Sequence, residues 1–128
     1  MAVHKKIRFG IALIPVLLII LVILSHYQTV DIIYFTNPKC LISVKTDVII
    51  DEIKDEFGDK VNVLKLSVNM YPGDVPDTDY VKQLREKYQV YGVPDIIING
   101  QKFTNKYTRD NLEQEICKKF LIKPRMCW

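Results

Sequence analysis

The chain has 128 residues, of which 48% are hydrophobic and 26% are charged, a composition typical of one globular domain. Its formal net charge is +3, but Lys5, Lys6 and Arg8 lie ahead of a long apolar run, and the remaining 15 basic residues balance 15 acidic ones. A neutral domain lacks the basic surface that phosphate backbones require, so nucleic acid is excluded as an expected partner.

An apolar segment follows the basic residues. No residue between Phe9 and Leu24 is charged, and sixteen helical residues at about 1.5 Å each nearly cross a hydrocarbon layer of roughly 30 Å. We therefore predict a basic cytoplasmic flank at residues 1–8, a transmembrane signal anchor at 9–25 and a linker at 26–29. A cleaved signal peptide is the alternative, although no Ala-x-Ala-like cleavage site follows the run.

The charge on either side of this segment predicts its orientation. Three basic residues precede the run, whereas the stretch from His26 to Pro38 contains neither Lys nor Arg. The positive-inside rule then predicts a single-pass membrane protein whose C-terminal domain lies on the extracytoplasmic side, where disulfides can persist. With three cysteines in the chain, at least one is free, bonded to another chain or chemically active.

The first half of the remaining sequence predicts a strand, a helix and a second strand. Val30–Phe35 is a β-branched and aromatic run that stops at a proline turn. A helix from Cys40 to Phe57 ends at Gly58, and Lys60–Asn69 alternates like a strand. Because a crossover helix joins the two strands, we expect them to pair in parallel. The apolar residues of this helix, expected to face the core, are Leu41, Ile42, Val44, Val48, Ile49, Ile53 and Phe57.

The second half predicts a helix, a hairpin and a last helix. After a loop rich in Pro, Gly and Asp, Asp77 or Thr78 can cap a helix that runs to about Tyr88. The strand Asp95–Ile98 and the return strand Gln101–Phe103 flank an Asn-Gly turn. The last helix is expected at Arg109–Phe120 with Thr108 as its cap, and its inward residues are expected to be Leu112, Ile116, Phe120 and Leu121.

The resulting order, βαβαββα, predicts an α/β fold in which helices cover both faces of a central mixed sheet. The segment "YFTNPKC" stands at the first strand-to-helix junction, and "YGVPDIIING" precedes the hairpin. This combination resembles the thioredoxin-like superfamily over residues 30–121, and residues 122–128 form a C-terminal tail. The resemblance implies a thioredoxin-like sheet flanked by helices and a redox activity on thiols.

The resemblance also implies roles for individual residues. Cys40 matches the nucleophilic cysteine, and Pro94 matches the proline that these proteins hold in the cis form opposite that sulfur. Val93 matches the residue whose backbone pairs with an extended client. Lys39, next to the nucleophile, is also expected to bind the client. Ser43 stands where the second, resolving cysteine is expected, so the site reads Cys-x-x-Ser.

Two further departures distinguish this chain from the pattern. The pair Leu41-Ile42 between Cys40 and Ser43 is more apolar than most, and Tyr34 occupies the strand position where thioredoxins keep a buried acid. Proton transfer through such an acid is therefore not expected here.

A cysteine at a helix N-terminus faces unpaired backbone N–H groups, which favour the thiolate, and Lys39 is expected to act in the same sense. Ser43 lies one turn along the helix, where its hydroxyl could donate to the sulfur but cannot attack a mixed disulfide. Release of a client then needs an outside thiol or another cysteine. The alternative interpretation is that Cys40 is a small, unreactive buried residue.

The other two cysteines leave several pairings open. Cys117 lies on the last helix, where a place in the core is expected, and Cys127 lies in the tail. The two could form a structural disulfide, or Cys127 could act as a distant resolving thiol for Cys40.

No cofactor or metal site is predicted. The sequence has no glycine-rich phosphate loop and no paired ligand spacing, and the acidic loop with Asp74, Asp77 and Asp79 is interpreted as solvated. Monothiol glutaredoxins, which hold iron–sulfur clusters at a Cys-x-x-Ser site, have Gly-Phe where this chain has Leu41-Ile42.

Two functions are consistent with these observations. The first is a membrane-anchored thiol–disulfide oxidoreductase or isomerase that acts through Cys40 alone on client thiols and disulfides and depends on a separate redox partner. The second is a catalytically inactive thioredoxin-fold module, tethered to the membrane, whose Val93-Pro94 edge binds extended peptides.

Overall fold

The structure, a computed structural model, describes residues 3–26 and 28–128, with side chains described outside residues 1–12 and 25–27. The first element is the helix α1, Val3–His26, which contains Pro15. Within the residues described, no helix combines the length and the apolar character needed to cross a membrane. Part of the predicted span, at residues 9–12 and 25, lies outside the described side chains.

Four strands form one mixed sheet in the order β2-β1-β3-β4. They are β1, Val30–Thr36; β2, Val61–Ser67; β3, Asp95–Ile98; and β4, Gln101–Lys102. β1 pairs in parallel with β2, as the crossover helix predicts, and antiparallel with β3. The central position of β1 explains why its sequence is apolar on both faces.

Three helices pack around this sheet: α2, Leu41–Phe57; α3, Asp79–Tyr88; and α4, Arg109–Lys119. Short 3-10 turns occur at Gly58–Lys60 and Arg125–Cys127. Thr78 caps α3 by accepting the Val81 N–H at 3.3 Å, and Thr108 caps α4 by accepting the Asn111 N–H at 3.4 Å.

The core lies on both faces of the sheet, as predicted. On one face, Val30, Ile32 and Tyr34 pack against residues of α2 and α4. On the other face, Phe35 and Ile97 pack against a smaller cluster that includes Val81 of α3. Helices therefore cover both faces of the sheet. The loops at the ends of the strands are the places where functional side chains can lie at the surface.

The prediction for the inward face of α2 was partly wrong. Ile53 and Phe57 are buried, but Leu41, Ile42, Val44 and Val48 are exposed. The buried residues, at helical spacing, are Ser43, Thr46, Ile50, Ile53 and Phe57. The polar members fit the interior because the Thr46 hydroxyl donates to the Ile42 carbonyl at 2.8 Å, and the Tyr34 hydroxyl donates to the Ser43 carbonyl at 3.0 Å.

The chain after α4 also differs from the prediction, because Leu121 is 81% exposed rather than inward. Gln28 binds this segment to the start of β1: its side-chain amide donates to the Lys119 carbonyl at 3.3 Å, and its carbonyl accepts the Leu121 N–H at 3.0 Å and the Ile122 N–H at 3.5 Å. Gln28 thus connects residues more than ninety positions apart.

Cys117 and Cys127 form a disulfide, with their Cα atoms 5.6 Å apart. Both residues pack against the core cluster that contains Val30, at the start of β1. Cys40 follows the opposite end of β1, and a seven-residue strand spans about 20 Å. In this arrangement Cys127 is bonded to Cys117 and is far from Cys40, which does not fit the alternative of a resolving thiol.

Candidate functional site

Cys40 stands at the junction of β1 and α2. Its backbone is extended, with φ −90° and ψ 115°, and it is the N-cap residue of α2. Asn37 shapes the preceding loop, because its carbonyl accepts the Cys40 N–H at 3.0 Å. The thiol is partly buried, and it is the free cysteine among the described residues.

The Val93-Pro94 segment lies opposite this sulfur, with its peptide bond in the cis form. The Cys40 thiol donates to the Val93 carbonyl, with Sγ 3.6 Å from the oxygen. The Tyr107 hydroxyl donates to the Pro94 carbonyl at 2.9 Å, which fixes the other side of the segment. Both Val93 and Pro94 keep part of their surface open to solvent.

The surroundings of Cys40 lower the pKa of its thiol below the ordinary value. The largest cause is the backbone N–H of Ser43, which donates to the sulfur, and the next is the Ser43 hydroxyl. Partial burial opposes the shift, while the Ile42 N–H and the Tyr71 hydroxyl favour it. These donors stabilise negative charge at the N-terminus of α2, as the sequence predicts for a cysteine there.

The Ser43 hydroxyl has an unusual environment. Ser43 is fully buried, and within the described part of the chain its Oγ has no hydrogen-bond partner. A buried hydroxyl without a partner costs about 1–3 kcal/mol. The same hydroxyl is the second-largest cause of the lowered pKa of Cys40, since a thiolate is a stronger acceptor than a thiol.

Lys39 is bound to the loop that follows β2. Its ammonium group forms an ion pair with Asp74, with Nζ 2.7 Å from Oδ1, and donates to the Pro72 carbonyl at 2.8 Å. Its effect on the Cys40 thiol and its role in client binding stay predictions. Lys39 therefore holds the loop after β2 against the loop that precedes the nucleophile.

Asp74 is the centre of this loop-to-loop contact. Its Oδ2 accepts the Asn37 side-chain amide at 2.6 Å, the Tyr71 N–H at 2.8 Å and the Met70 N–H at 3.0 Å. The ion pair with Lys39, together with these hydrogen bonds, holds the pKa of Asp74 well below its usual range. Asp74, which the sequence analysis interpreted as a solvated loop residue, is therefore structural, with only 8% of its side chain exposed.

The sequence analysis also missed Tyr71. A turn from Tyr71 to Asp74, closed by the Asp74 N–H at 3.1 Å from the Tyr71 carbonyl, has Gly73 at a φ of +82°. The pKa of the Tyr71 phenol is raised, chiefly by its interaction with Cys40. The Pro72-Gly73 pair was the only sequence signal of this turn. No feature of the sequence indicated which part of the molecule the turn would contact.

Tyr34 lies beneath the site on β1. Burial raises the pKa of its phenol, so this group is neutral at physiological pH. The nearest carboxylate is Asp47 on α2, which accepts the Thr36 hydroxyl at 3.0 Å and pairs with Lys65 at 3.1 Å. Burial acts to raise the pKa of Asp47, but the interactions with Tyr34, Lys65 and Thr36 lower it overall, so this carboxylate is charged.

The remaining acids of the loop are also engaged with the protein. Asp77 pairs with Arg85 and accepts the Asn69 N–H at 2.6 Å, and Asp79 pairs with Lys82 at 3.4 Å. Across the described residues, no cluster of three or more His, Cys, Asp or Glu side chains is arranged to hold a metal ion.

The comparisons with known proteins agree with this geometry. No protein-family model matches the chain. A protein of Methanothermobacter thermautotrophicus named probable thioredoxin is 33% identical over 90 residues, which cover 70% of this chain and 94% of that protein. The chain belongs to the thioredoxin-like superfamily.

Solved thioredoxins share the superfamily fold. The exposed lipoprotein thioredoxin of Streptococcus pneumoniae superposes with a TM-score of 0.55 at 20% identity, covering 74% of this chain and 89% of that protein. The thioredoxin of Wuchereria bancrofti gives a TM-score of 0.52 at 20% identity, covering 73% of this chain and 74% of that protein. In this thioredoxin-like chain a cysteine stands at the strand-to-helix junction, a cis proline lies opposite it, and a serine follows one turn along the helix.

Proposed function

We propose that this protein catalyses thiol–disulfide exchange on client proteins with Cys40 as its single nucleophile. The observation that carries the proposal is the position of the Cys40 sulfur, which faces the Val93-Pro94 segment and is surrounded by donors that favour the thiolate. The name of the Methanothermobacter relative, probable thioredoxin, supports the same chemistry.

The exchange proceeds in two steps. The Cys40 thiolate attacks one sulfur of a client disulfide, a mixed disulfide forms, and the other client sulfur leaves as a thiolate. Ser43 cannot attack this adduct, so a second thiolate, from a small-molecule thiol or another protein, attacks the client sulfur and Cys40 leaves as a thiolate. The client sulfur is then in a disulfide with the outside thiol. A second outside thiolate reduces it, so that two outside thiols become one disulfide and supply the two electrons, or the client's own freed thiolate attacks it and the client's disulfides are rearranged with no net electron transfer.

The surface around Cys40 suits a protein client. Leu41 and Ile42, next to the nucleophile, are 70% and 58% exposed. Exposed apolar side chains next to a reactive group are typical of a surface that contacts another chain. When Cys40 ionises, its S–H no longer occupies the Val93 carbonyl, which becomes free to accept an N–H of an extended client.

A catalytically inactive binding module is the second candidate function. The partly exposed Val93 and Pro94 favour it, because such an edge can pair with a peptide backbone without any thiol chemistry. This candidate does not need a reactive Cys40.

The pH dependence of Cys40 alkylation separates the two candidates. Because only the thiolate reacts, a lowered pKa places the midpoint of the rate profile below the unperturbed value of about 8.5. The Ser43→Ala variant should shift the midpoint upward, since it removes a donor, and Cys40→Ser should abolish labelling under non-reducing conditions. A midpoint at or above the unperturbed value, with no trapped mixed disulfide, would leave only the binding function.

We further propose that α1 anchors the protein in a membrane with the catalytic domain on the extracytoplasmic side. The uncharged run Phe9–Leu24 and the basic residues before it support this location. Residues 13–24 are all exposed, and all except Pro15 have apolar side chains. Because the folded domain does not bury them, they are available to be buried in another apolar environment.

A further inference from the structure

Residues 121–128, here called the post-α4 segment, expose large apolar side chains. Leu121 is 81% exposed, Ile122 is 46% exposed and Trp128 is 90% exposed. Apolar side chains that a folded domain leaves in water, when they lie close together, are typical of a surface that contacts a partner.

The post-α4 segment is held in place by the rest of the domain. The side-chain carbonyl of Gln28 accepts the Leu121 N–H at 3.0 Å and the Ile122 N–H at 3.5 Å. Further along, Cys127 is bonded to Cys117 of α4. The exposed side chains therefore belong to a defined surface of the domain.

This surface borders the end of α1. A groove of about 240 Å³ is lined by Leu21 and Leu24 of α1, by Gln28, and by Leu121 and Ile122. Leu21 and Leu24 are the last leucines of the uncharged run that we propose enters the membrane. Because the last residues of a membrane helix lie near the bilayer surface, residues that share a groove with them lie near that surface too.

The post-α4 segment and the last turn of α4 carry an excess of positive charge. The chain after Glu115 contains four basic residues and no acidic one. Glu115 pairs with Lys118 at 3.3 Å and with Lys119 at 3.4 Å, so most of the unbalanced charge lies at Lys123 and Arg125. Such a surface repels a second copy of itself and attracts the phosphates of anionic lipids.

Trp128 lies next to this charge, because it lines a second groove together with Lys123. The same groove contains Asp110 and Glu113, of which Glu113 is paired with Arg109. An indole ring has an apolar body and one N–H donor, and a lysine can keep its ammonium group in water while its stem lies deeper. Both side chains therefore suit the boundary between lipid and water.

We propose that the post-α4 segment docks on the surface of an anionic phospholipid bilayer beside α1. Leu121, Ile122 and Trp128 enter the interfacial layer, and Lys123 and Arg125 bind lipid phosphates. The inference rests on the anchoring proposed above and adds a second membrane contact, made by the folded domain itself.

Trp128 reports on this contact directly, because it is the single tryptophan of the chain. The test reconstitutes the full chain into vesicles of phosphatidylcholine and phosphatidylglycerol, with acyl chains that are either brominated or unmodified. Bromine quenches an indole only at near contact, so we expect the emission to fall by about twofold or more in the brominated vesicles. Brominated vesicles of phosphatidylcholine alone should quench less, because they lack the anionic phosphates.

A pair of charge reversals tests the basic residues. Lys123→Glu with Arg125→Glu should remove most of the quenching, since the segment is then repelled by anionic lipid. The matched control, Lys45→Glu with Lys82→Glu, makes the same change in net charge at exposed positions of α2 and α3 and should quench like the wild-type chain.

The possible failures are distinguishable. If the chain does not float with the vesicles in a density gradient, the anchor fails and this inference fails with it. If the chain floats but bromination leaves the emission unchanged, the anchor stands and the docking of the segment fails. Emission that depends on the ratio of protein to lipid, and not on bromination, would assign the surface to a second copy of the chain. Equal quenching in the two double variants would overturn the role of Lys123 and Arg125.

Discussion

Ser43 differs from a cysteine by one atom, an oxygen in place of a sulfur, and that atom decides how an adduct on Cys40 ends. The side chain is fully buried one turn from the nucleophile, and its hydroxyl, which has no hydrogen-bond partner among the described residues, contributes to the lowered pKa of Cys40. The position is therefore already shaped for a small polar group that interacts with the sulfur of Cys40.

Ser43→Cys should convert the site into a dithiol. We expect Cys40 and the new cysteine to form an intramolecular disulfide on oxidation, because Cys40 is the N-cap of α2 and position 43 lies three residues later, one helical turn along. Mixed disulfides with a peptide should then disappear at least about tenfold faster without an outside thiol. Mass spectrometry of the quenched reaction measures this, with Ser43→Ala as the control that keeps the single thiol.

If the adduct on Ser43→Cys persists as long as in the wild-type chain, the side chain at position 43 does not reach the Cys40 sulfur, and our description of the site is wrong.

Part of the candidate site could be predicted from the sequence, because Cys40, Ser43, Val93 and Pro94 could all be recognised from local motifs. It gave no access to Tyr71 or Asn37 as site residues, since their roles depend on contacts between loops more than thirty positions apart.

At the scale of the elements, α2 shows why helical periodicity alone was insufficient. Two sets of residues have helical spacing, one apolar and one that begins with Ser43 and Thr46, and the structure buries the second. The hydrogen bond from Tyr34 to the Ser43 carbonyl fixes the rotation of the helix on the sheet. Residue types predicted that a helix forms here, but only packing against β1 determines which face is inward.

The disulfide of α4 is expected to stabilise the end of the domain that is remote from the site. It closes a loop with a sequence separation of 10, for which loss of chain entropy in the unfolded state predicts about 3 kcal/mol. Replacing both cysteines, Cys117→Ser with Cys127→Ser, should lower the free energy of unfolding by about that amount in urea titrations.

Both proteins compared in this measurement, with and without the disulfide, also carry Cys40→Ser. This substitution removes the free thiol and so prevents disulfide exchange. The double variant in a background that retains Cys40 should show the wild-type midpoint of alkylation, because β1 separates the disulfide from the nucleophile. An unchanged free energy of unfolding would mean that the tail contributes no stability through this bond.

At the scale of the whole molecule, the proposed anchor makes a direct prediction. The full chain expressed in cells should stay in the membrane fraction after extraction with alkaline carbonate, and an impermeant maleimide should label Cys40 in intact cells. Leu17→Arg with Leu21→Arg should release the protein, since each charge at the centre of a span costs roughly 2.5–3.5 kcal/mol. Val48→Arg with Val75→Arg adds the same two charges at exposed positions of the folded domain and should not.

Extraction of the wild-type chain by carbonate would contradict the anchor, and labelling of Cys40 only after lysis would contradict the orientation.

The fold itself was predictable at this scale, because the order of the strands and helices, the parallel pair and the hairpin follow from turns and apolar runs that are local in sequence. The connection between the two ends of the chain was not, since Gln28 contacts Lys119 across ninety-one positions.

That contact has a consequence for which clients the protein can meet. Gln28, just before β1, is joined to the end of α4 through three hydrogen bonds. Under the anchoring proposed above, these bonds would limit how far the domain can turn relative to a membrane helix. Cys40 follows the opposite end of β1, roughly 20 Å from this junction. Client disulfides at about that distance from the bilayer would then be the ones that the thiol reaches most readily.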